Sequence, residues 1–99
     1  MIAPMDAVLD DLPISLAALS KLRWRCRRGL LENDLFIARF FDRHGERLTR
    51  RQAAGLEALM DLPDNDLLDL LLARRQPEGD LDRDEVRLVL GQMRRPVPA

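Results

Sequence analysis

The spacing of the leucines is the feature that most constrains the fold of this chain. Leucine occupies 20 of the 99 positions, and apolar residues recur at intervals of three and four along most of the sequence. That spacing places them on one face of an α-helix, and no alternating strand pattern competes with it. Only 4% of the residues are aromatic, so the interior must be mainly aliphatic. The sequence therefore predicts an all-α fold, a small five-helix bundle in one domain.

The first two predicted helices flank a glycine. The first is capped by Ser15 and ends or bends at Gly29. Its predicted buried stripe is Leu16, Leu19, Leu22, Cys26 and Leu30. The second runs from Leu30 to about Arg43 and is apolar nearly all round, which predicts a central position in the bundle. The residues that give it this character are Leu31, Leu35, Phe36, Ile37, Ala38, Phe40 and Phe41.

Local capping signals bound the third and fourth helices. A loop is predicted over residues 42–48, and Thr49 with Gln52 forms a candidate capping box at the start of the third helix. The fourth helix is expected to be capped by Asp64 or Asp66. Short connections between these helices agree with a compact bundle.

The end of the chain completes the predicted bundle. The fourth helix is expected to reach Arg75, and a second candidate capping box, Asp82 with Glu85, opens a fifth helix that cannot continue through Pro96. The predicted organisation is a flexible N-terminal leader at 1–14, a single helical domain at 15–95 and a C-terminal tail at 96–99.

Composition argues against several classes of function. One cysteine, Cys26, and one histidine, His44, cannot form a disulfide framework or a Cys/His zinc site. Cys26 falls on the predicted buried stripe, and His44 has no accompanying nucleophile motif, so both are interpreted as structural residues rather than catalytic ones. The sequence has no secretory pattern and no apolar run of membrane-spanning length, so we expect a cytoplasmic protein. Because metal ligands and a nucleophile motif are lacking, we also expect that it is not an enzyme.

The net charge of −1 is the sum of two opposite segments. Residues 21–28 carry five cations and no acid, and residues 61–73 carry four aspartates and no base. The cations are Lys21, Arg23, Arg25, Arg27 and Arg28; the aspartates are Asp61, Asp64, Asp66 and Asp69. This arrangement predicts a polarised surface or, equally, two ordinary solvated helix faces.

The basic segment contains the only tryptophan. At 100° per residue, Trp24 points away from the stripe of Leu22 and Cys26. An exposed aromatic among arginines is typical of a binding hot spot, although the ring could instead pack beneath the leader. Close by, Gly29 lies between Arg28 and Glu32. Arg28 and Glu32 could bind complementary groups of a partner whose backbone approaches the glycine closely. Alternatively, they could form an ordinary i,i+4 surface pair beside a glycine that ends the helix.

A longer string around this triplet resembles a known family. The sequence from Trp24 to Asp34, WRCRRGLLEND, followed by Phe40 and Phe41, resembles the FAD assembly factors of succinate dehydrogenase, the SdhE family, which carries an R-G-x-x-E motif. The acidic segment from Asp64 to Leu71 and the later Pro77 also fit. The resemblance covers about residues 21–93.

The resemblance implies an assembly factor or chaperone with five helices. Such a factor binds the flavoprotein subunit of succinate dehydrogenase, and often of fumarate reductase, and promotes the covalent attachment of FAD to that subunit. FAD is then the partner's cofactor and is not stably bound by the factor, for which we expect a monomer. Carried over to this chain, the docking motif is Arg28, Gly29 and Glu32, surrounded by Trp24, Arg27 and Asp34.

Two other functions remain open at this point. An antitoxin-like regulatory module could neutralise a basic partner through the acidic segment between Asp61 and Asp69. A nucleic-acid binder could use the cations between Lys21 and Arg28, but the net negative charge and the scarcity of other aromatic residues argue against it.

Overall fold

Five α-helices make up most of the structure, a computed structural model that describes residues 12–27 and 29–94. They are α1 (Leu16–Arg25), α2 (Leu31–His44), α3 (Arg50–Met60), α4 (Asp64–Leu71) and α5 (Asp84–Arg94), with 3₁₀ turns at Gly45–Arg47 and Gly79–Leu81. Within the described ranges no strand is present beyond one isolated antiparallel bridge, between Pro13 and Thr49. The predicted all-α, five-helix fold is confirmed. The rest of the predicted leader, residues 1–11, and the segment 95–99 lie outside the described residues.

Helices α3 and α5 form the most extensive pair, and the other helices pack around them. Helix α2 contacts α4 and α5, while α1 contacts α3. The shared core is mainly aliphatic, as the composition predicted. Its most deeply buried side chains include Phe40, Leu48, Leu56, Leu59, Leu67, Val86, Val89 and Leu90.

A glycine allows the α3–α5 pair to approach closely. A Cβ atom placed on Gly55 would lie 2.9 Å from the carbonyl carbon of Glu85 and 2.9 Å from Cγ2 of Val89. The obstructing atoms include backbone of the facing helix, which cannot move aside without separating the two helices. Gly55 is therefore part of the packing of the bundle.

The capping predictions are confirmed for two helices. Ser15 Oγ accepts a hydrogen bond of 3.1 Å from the Ala18 N–H at the start of α1. At the start of α3, Thr49 Oγ1 accepts from the Gln52 N–H at 3.1 Å, and the Gln52 side chain accepts in return from the Thr49 N–H at 2.9 Å. Both caps satisfy N–H groups that the helix itself leaves unpaired.

The end of the predicted leader is attached to the bundle where the structure describes it. The Ile14 N–H donates to the Leu48 carbonyl at 2.9 Å, and the Arg50 N–H donates to the Leu12 carbonyl at 3.1 Å. Ile14 is half-buried and packs against the core. These contacts hold residues 12–14 antiparallel to the chain that leads into α3.

The predicted loop over 42–48 and two predicted boundaries of α4 were wrong. Helix α2 ends at His44, next to the predicted Arg43, so residues 42–44 are helical, and residues 45–47 form a 3₁₀ turn. Helix α4 has Pro63 at its N-cap position, so Asp64 and Asp66 lie in its first turn instead of capping it. It also stops at Leu71 rather than Arg75, because Ala73 adopts the left-handed conformation (φ 60°) and lets the Arg74 N–H turn back to the Asp69 carbonyl.

The predicted capping box of the fifth helix was also wrong. Helix α5 begins at Asp84, so Asp82 precedes it by two residues. The Asp82 carboxylate instead accepts a hydrogen bond from Nε of Arg87. The Asp82 carboxylate, which the sequence pattern assigned to the N-cap, therefore binds the side chain of Arg87 in the first turn of α5.

Candidate partner-binding site

The junction between α1 and α2 positions the residues that the sequence singled out. Cys26 is the C-cap residue of α1, its side chain is buried, and its N–H donates to the Leu22 carbonyl at 2.9 Å. The chain then passes from residue 26 to residue 30 and enters α2 with Glu32 and Asp34 in the first turn. Carboxylates there are favoured by the positive end of the helix dipole. Cys26 is thus an anchoring apolar residue, as predicted.

Trp24 points outward, and its side chain is 70% exposed. The guanidinium carbon of Arg27 lies 4.5 Å from the centre of the indole ring, a cation–π arrangement that orients the ring on the surface. Of the leader residues that could cover Trp24 in the alternative interpretation, Ile14 packs against the core instead, and residues 1–11 lie outside the described residues. An oriented, exposed indole beside an arginine is the kind of residue pair that dominates protein interfaces.

Gly29 is exposed, and close packing does not require a glycine there. A Cβ atom at this position would meet no atom within 4 Å. Packing against the described residues therefore does not explain the missing side chain. The position offers a bare stretch of backbone that another protein can approach closely.

Helix α2 presents more apolar surface beside this glycine than the sequence predicted. Leu31 is 68% exposed and Leu35 is 48% exposed, where both were expected to be buried in a central helix. Leu16, expected on the buried stripe of α1, is also exposed. The leucines of α2 lie four residues apart, and Glu32, also exposed, lies between them. Sequence reasoning missed Leu31 and Leu35 because an all-round apolar pattern does not reveal which side faces the core.

The structure brings several of the predicted site residues into one region. We define the docking surface as Trp24, Arg27, Gly29 and Glu32, all exposed residues at the α1–α2 junction. Asp34 is half-buried and, with Arg27, lines a neighbouring cleft of about 360 Å³. Arg28, the first residue of the predicted motif, lies outside the described residues.

The acidic segment is largely balanced by arginines of the same chain. Asp61 pairs with Arg25 at 2.8 Å and thereby connects the acidic segment to the basic one. Asp66 pairs with Arg75 at 3.4 Å, and Asp69 pairs with Arg74 at 3.6 Å. A surface neutralised in this way is a weak candidate for capturing a basic partner, which disfavours the antitoxin-like alternative.

The basic segment is similarly divided among different contacts. Arg25 pairs with Asp61, Arg27 lies over Trp24, and the guanidinium of Arg23 lies 5.0 Å from the centre of the Phe41 ring. These arginines therefore contact three different partners within the chain. Such an arrangement fits nucleic-acid phosphates poorly.

Among residues 12–27 and 29–94, little resembles a catalytic or metal centre. His44 is the last residue of α2 and is half-buried, with its ring 5.0 Å from that of Phe40. In the part of the chain that the structure describes, no group of three or more His, Cys, Asp or Glu side chains could hold a metal ion. Among the same residues, no helix has the length and apolar character needed to cross a membrane.

Comparison with known proteins identifies relatives across this region. The sequence profile of a family described as flavinator of succinate dehydrogenase matches residues 20–94. The FAD assembly factor SdhE of Ralstonia nicotianae is 55% identical over 75 residues, which cover 76% of this chain and 79% of the relative. The protein of the same name from Coxiella burnetii is 36% identical over 72 residues, covering 73% of this chain and 88% of the relative. No solved structure gives a significant match.

Proposed function

The chain belongs to the family of flavinators of succinate dehydrogenase, and on that premise we propose that it binds the flavoprotein subunit of that enzyme and promotes its covalent flavinylation with FAD. The observation that carries this proposal is the family match, which runs from α1 to the end of α5. The flavoprotein subunit of fumarate reductase is included as a second client. We further propose that the protein acts as a monomer in the cytoplasm.

The docking surface is the part of the chain that we assign to this contact, together with Arg28 of the motif. Trp24 and Arg27 supply an oriented aromatic and cationic pair, Gly29 supplies open backbone, and Glu32 supplies a carboxylate. The opposite charges on either side of a bare glycine can pair with complementary groups on a protein surface. Asp34 is assigned to the edge of this contact.

In the proposed mechanism this chain positions the flavoprotein subunit for the attachment of FAD and supplies no reacting group of its own. The sequence has no nucleophile motif, the Cys26 thiol beside the docking surface is buried, and the five glycines stand singly at least ten residues apart, so there is no glycine-rich loop to hold the phosphates of FAD. We therefore assign FAD to the partner. The factor would hold the flavoprotein in the arrangement in which its own side chain and the flavin meet in reactive geometry, an entropic contribution to the rate.

A reconstituted flavinylation reaction tests this function. Purified apo flavoprotein subunit is mixed with FAD with or without this protein, and covalent flavin is measured by its fluorescence on the denatured subunit. We expect the wild type to accelerate attachment and Glu32→Ala to reduce that acceleration about tenfold, because a charged hydrogen bond contributes on the order of 1.5 kcal/mol.

Glu57→Ala is the matched control, because Glu57 is also an exposed helical carboxylate but lies on α3. It should support flavinylation at the wild-type rate. If the wild-type protein fails to accelerate attachment of FAD, the proposed function is wrong. If Glu32→Ala and Glu57→Ala are both as active as the wild type, the function stands and the assignment of Glu32 is wrong.

A further inference from the structure

A groove lies between α1 and α2, next to the docking surface. Its floor is formed by Cys26, Ile37 and Phe41, all buried apolar residues, and the exposed Ala38 borders it. The charged residues along it are Arg23 and Arg27 from the α1 side and Asp34 and Asp42 from α2. With a volume of about 360 Å³, the groove can accept apolar side chains from another protein. We refer to it as the α1–α2 groove.

Arg23 is held at the edge of this groove with its guanidinium available to a ligand. The group lies 5.0 Å from the centre of the Phe41 ring, and within the described ranges it has no ion-pair partner. A guanidinium in this setting retains hydrogen-bond donors in the fork geometry that suits a carboxylate. The edge of the groove is therefore chemically matched to an acidic side chain.

A second glycine permits this placement of Arg23. Gly45 is buried at the end of α2, and a Cβ atom there would overlap the Arg23 guanidinium. The φ of −52° and ψ of −47° at Gly45 are ordinary helical values. Glycine at this position therefore makes room for the Arg23 guanidinium and is not required by the backbone conformation.

We propose that the α1–α2 groove extends the docking surface and receives a segment of the flavoprotein subunit that places an apolar side chain on Phe41 and Ile37 and a carboxylate on Arg23. This inference rests on the proposed function for the identity of the partner. Two observations select this occupant. Arg27 belongs both to the docking surface and to the groove, so the two surfaces are continuous, and the Arg23 guanidinium at the edge of the groove forms no ion pair with the described residues, so its N–H groups can donate to a carboxylate of the partner.

Binding of apo flavoprotein subunit to three variants tests the proposal. In Ala38→Arg a long side chain fills the groove, and we expect the dissociation constant to rise at least about tenfold. Arg23→Gln removes the charge and should weaken binding about tenfold, the effect of losing one charged hydrogen bond. It should also reduce the salt dependence of the affinity, because one interfacial charge pair is lost.

Gly45→Ala separates a binding effect from a folding effect. The added methyl displaces the end of a flexible side chain, and alanine is favoured over glycine in helical conformation, so the thermal midpoint should stay the same or rise. Binding should nevertheless weaken about threefold to tenfold, because Arg23 must leave its place over Phe41. This combination of a stable fold and weaker binding is not expected of a purely structural residue.

Ala17→Arg is the matched control for Ala38→Arg, since Ala17 is also an exposed helical alanine but lies on α1 away from the groove. It should bind like the wild type. Wild-type affinity and salt dependence in Arg23→Gln and Gly45→Ala would overturn the proposal, even if Ala38→Arg failed to fold. If the groove variants bind normally but Gly29→Arg loses binding, the groove proposal is wrong and the proposed function stands. If the wild-type protein does not bind the subunit, both the groove proposal and the proposed function are wrong.

Discussion

At the scale of single residues, the glycines of this chain have different roles that only their surroundings reveal. Gly29 has open space around it, Gly45 makes room for the guanidinium of Arg23, and Gly55 lies against the backbone of another helix. The residues next to these glycines in the sequence do not reveal which role each glycine has. The consequence of adding a side chain should therefore range from loss of binding with an intact fold, at Gly29, to loss of stability, at Gly55.

Trp24 should contribute to binding far more than to folding. Because the side chain is 70% exposed, Trp24→Ala is expected to change the free energy of unfolding by less than about 0.5 kcal/mol. The same change should weaken binding to the flavoprotein subunit by about 2 kcal/mol or more, the usual contribution of an interface hot spot. Denaturant unfolding and calorimetric titration measure the two quantities.

Leu16→Ala is the control for Trp24→Ala, because Leu16 is 81% exposed on the same helix and lies outside the docking surface. Its binding should match that of the wild type. Equal effects of the two substitutions on affinity would mean that Trp24 has no special part in the contact.

Asp82 provides a test of local electrostatics outside the docking surface. The hydrogen bond from Arg87 lowers the pKa of the Asp82 carboxyl below its usual value, an effect that partial desolvation opposes, and the same contact raises the pKa of Arg87. A carboxyl with a lowered pKa stabilises the fold above its unfolded-state pKa of about 3.9 and loses this contribution as the pH falls through the lower folded-state value.

The pKa of Asp82 can be followed by NMR titration of its carboxyl carbon. We expect a midpoint below that of an unperturbed aspartate in the wild type and a return toward the ordinary value in Arg87→Gln. Arg74→Gln, which removes a guanidinium paired with Asp69, should leave the midpoint of Asp82 where it is. A midpoint unaffected by Arg87→Gln would show that the contact is not maintained in solution.

At the scale of helices, α3 and α5 form the most extensive contact of the bundle, and Gly55 lies where they approach closely. Gly55→Ala introduces a methyl group against the Glu85 backbone and Val89. Overpacking of this kind costs about 1–3 kcal/mol, partly offset by up to ~1 kcal/mol of higher helix propensity. We therefore expect the free energy of unfolding to fall by about 1–2 kcal/mol, measured by chemical denaturation.

Gly91→Ala isolates the propensity term from the packing term. Gly91 lies in α5, and a Cβ atom there would meet nothing within 4 Å. This substitution should raise the free energy of unfolding by about 0.5–1 kcal/mol. Stabilisation by Gly55→Ala of the same size as by Gly91→Ala would contradict the close α3–α5 contact.

The elements also show which parts of the fold can be predicted from sequence. The helices and the caps at Ser15 and Thr49 were predictable because they depend on residues three or four positions apart. The end of α4 was not, since no glycine or proline marks Ala73 as a left-handed residue. At this scale, prediction succeeds where the stabilising contacts are local.

Contacts between distant parts of the chain account for what the sequence did not reveal. Asn33 is fully buried, and its Nδ2 donates to the Asp64 carbonyl at 3.0 Å, across 31 positions of sequence. Its Oδ1 is buried without a hydrogen-bond partner in the described structure. A polar residue in this role cannot be recognised before its partner is placed, and the exposure of Leu31 and Leu35 on the other side of α2 follows from the same placement.

At the scale of the whole molecule, the opposite charges of the basic and acidic segments partly cancel within the chain. The Arg25–Asp61 pair joins the two segments, and the acidic helix is further matched by Arg74 and Arg75. The polarised surface that was one of two expectations from sequence is therefore reduced, and the α1–α2 junction carries three exposed large apolar residues, Trp24, Leu31 and Leu35. Of the candidate site, sequence reasoning located Trp24, Gly29 and Glu32, and it missed the exposed leucines and the groove.

The most direct test of the central claim is the affinity of apo flavoprotein subunit for Gly29→Arg compared with Gly91→Arg. Both substitutions place the same side chain at an exposed glycine with open space around it, so both variants should fold. If the docking surface is the contact, Gly29→Arg loses at least about tenfold in affinity, because a long side chain blocks close approach of the partner, and Gly91→Arg binds like the wild type. Equal affinities for the two variants would contradict the account.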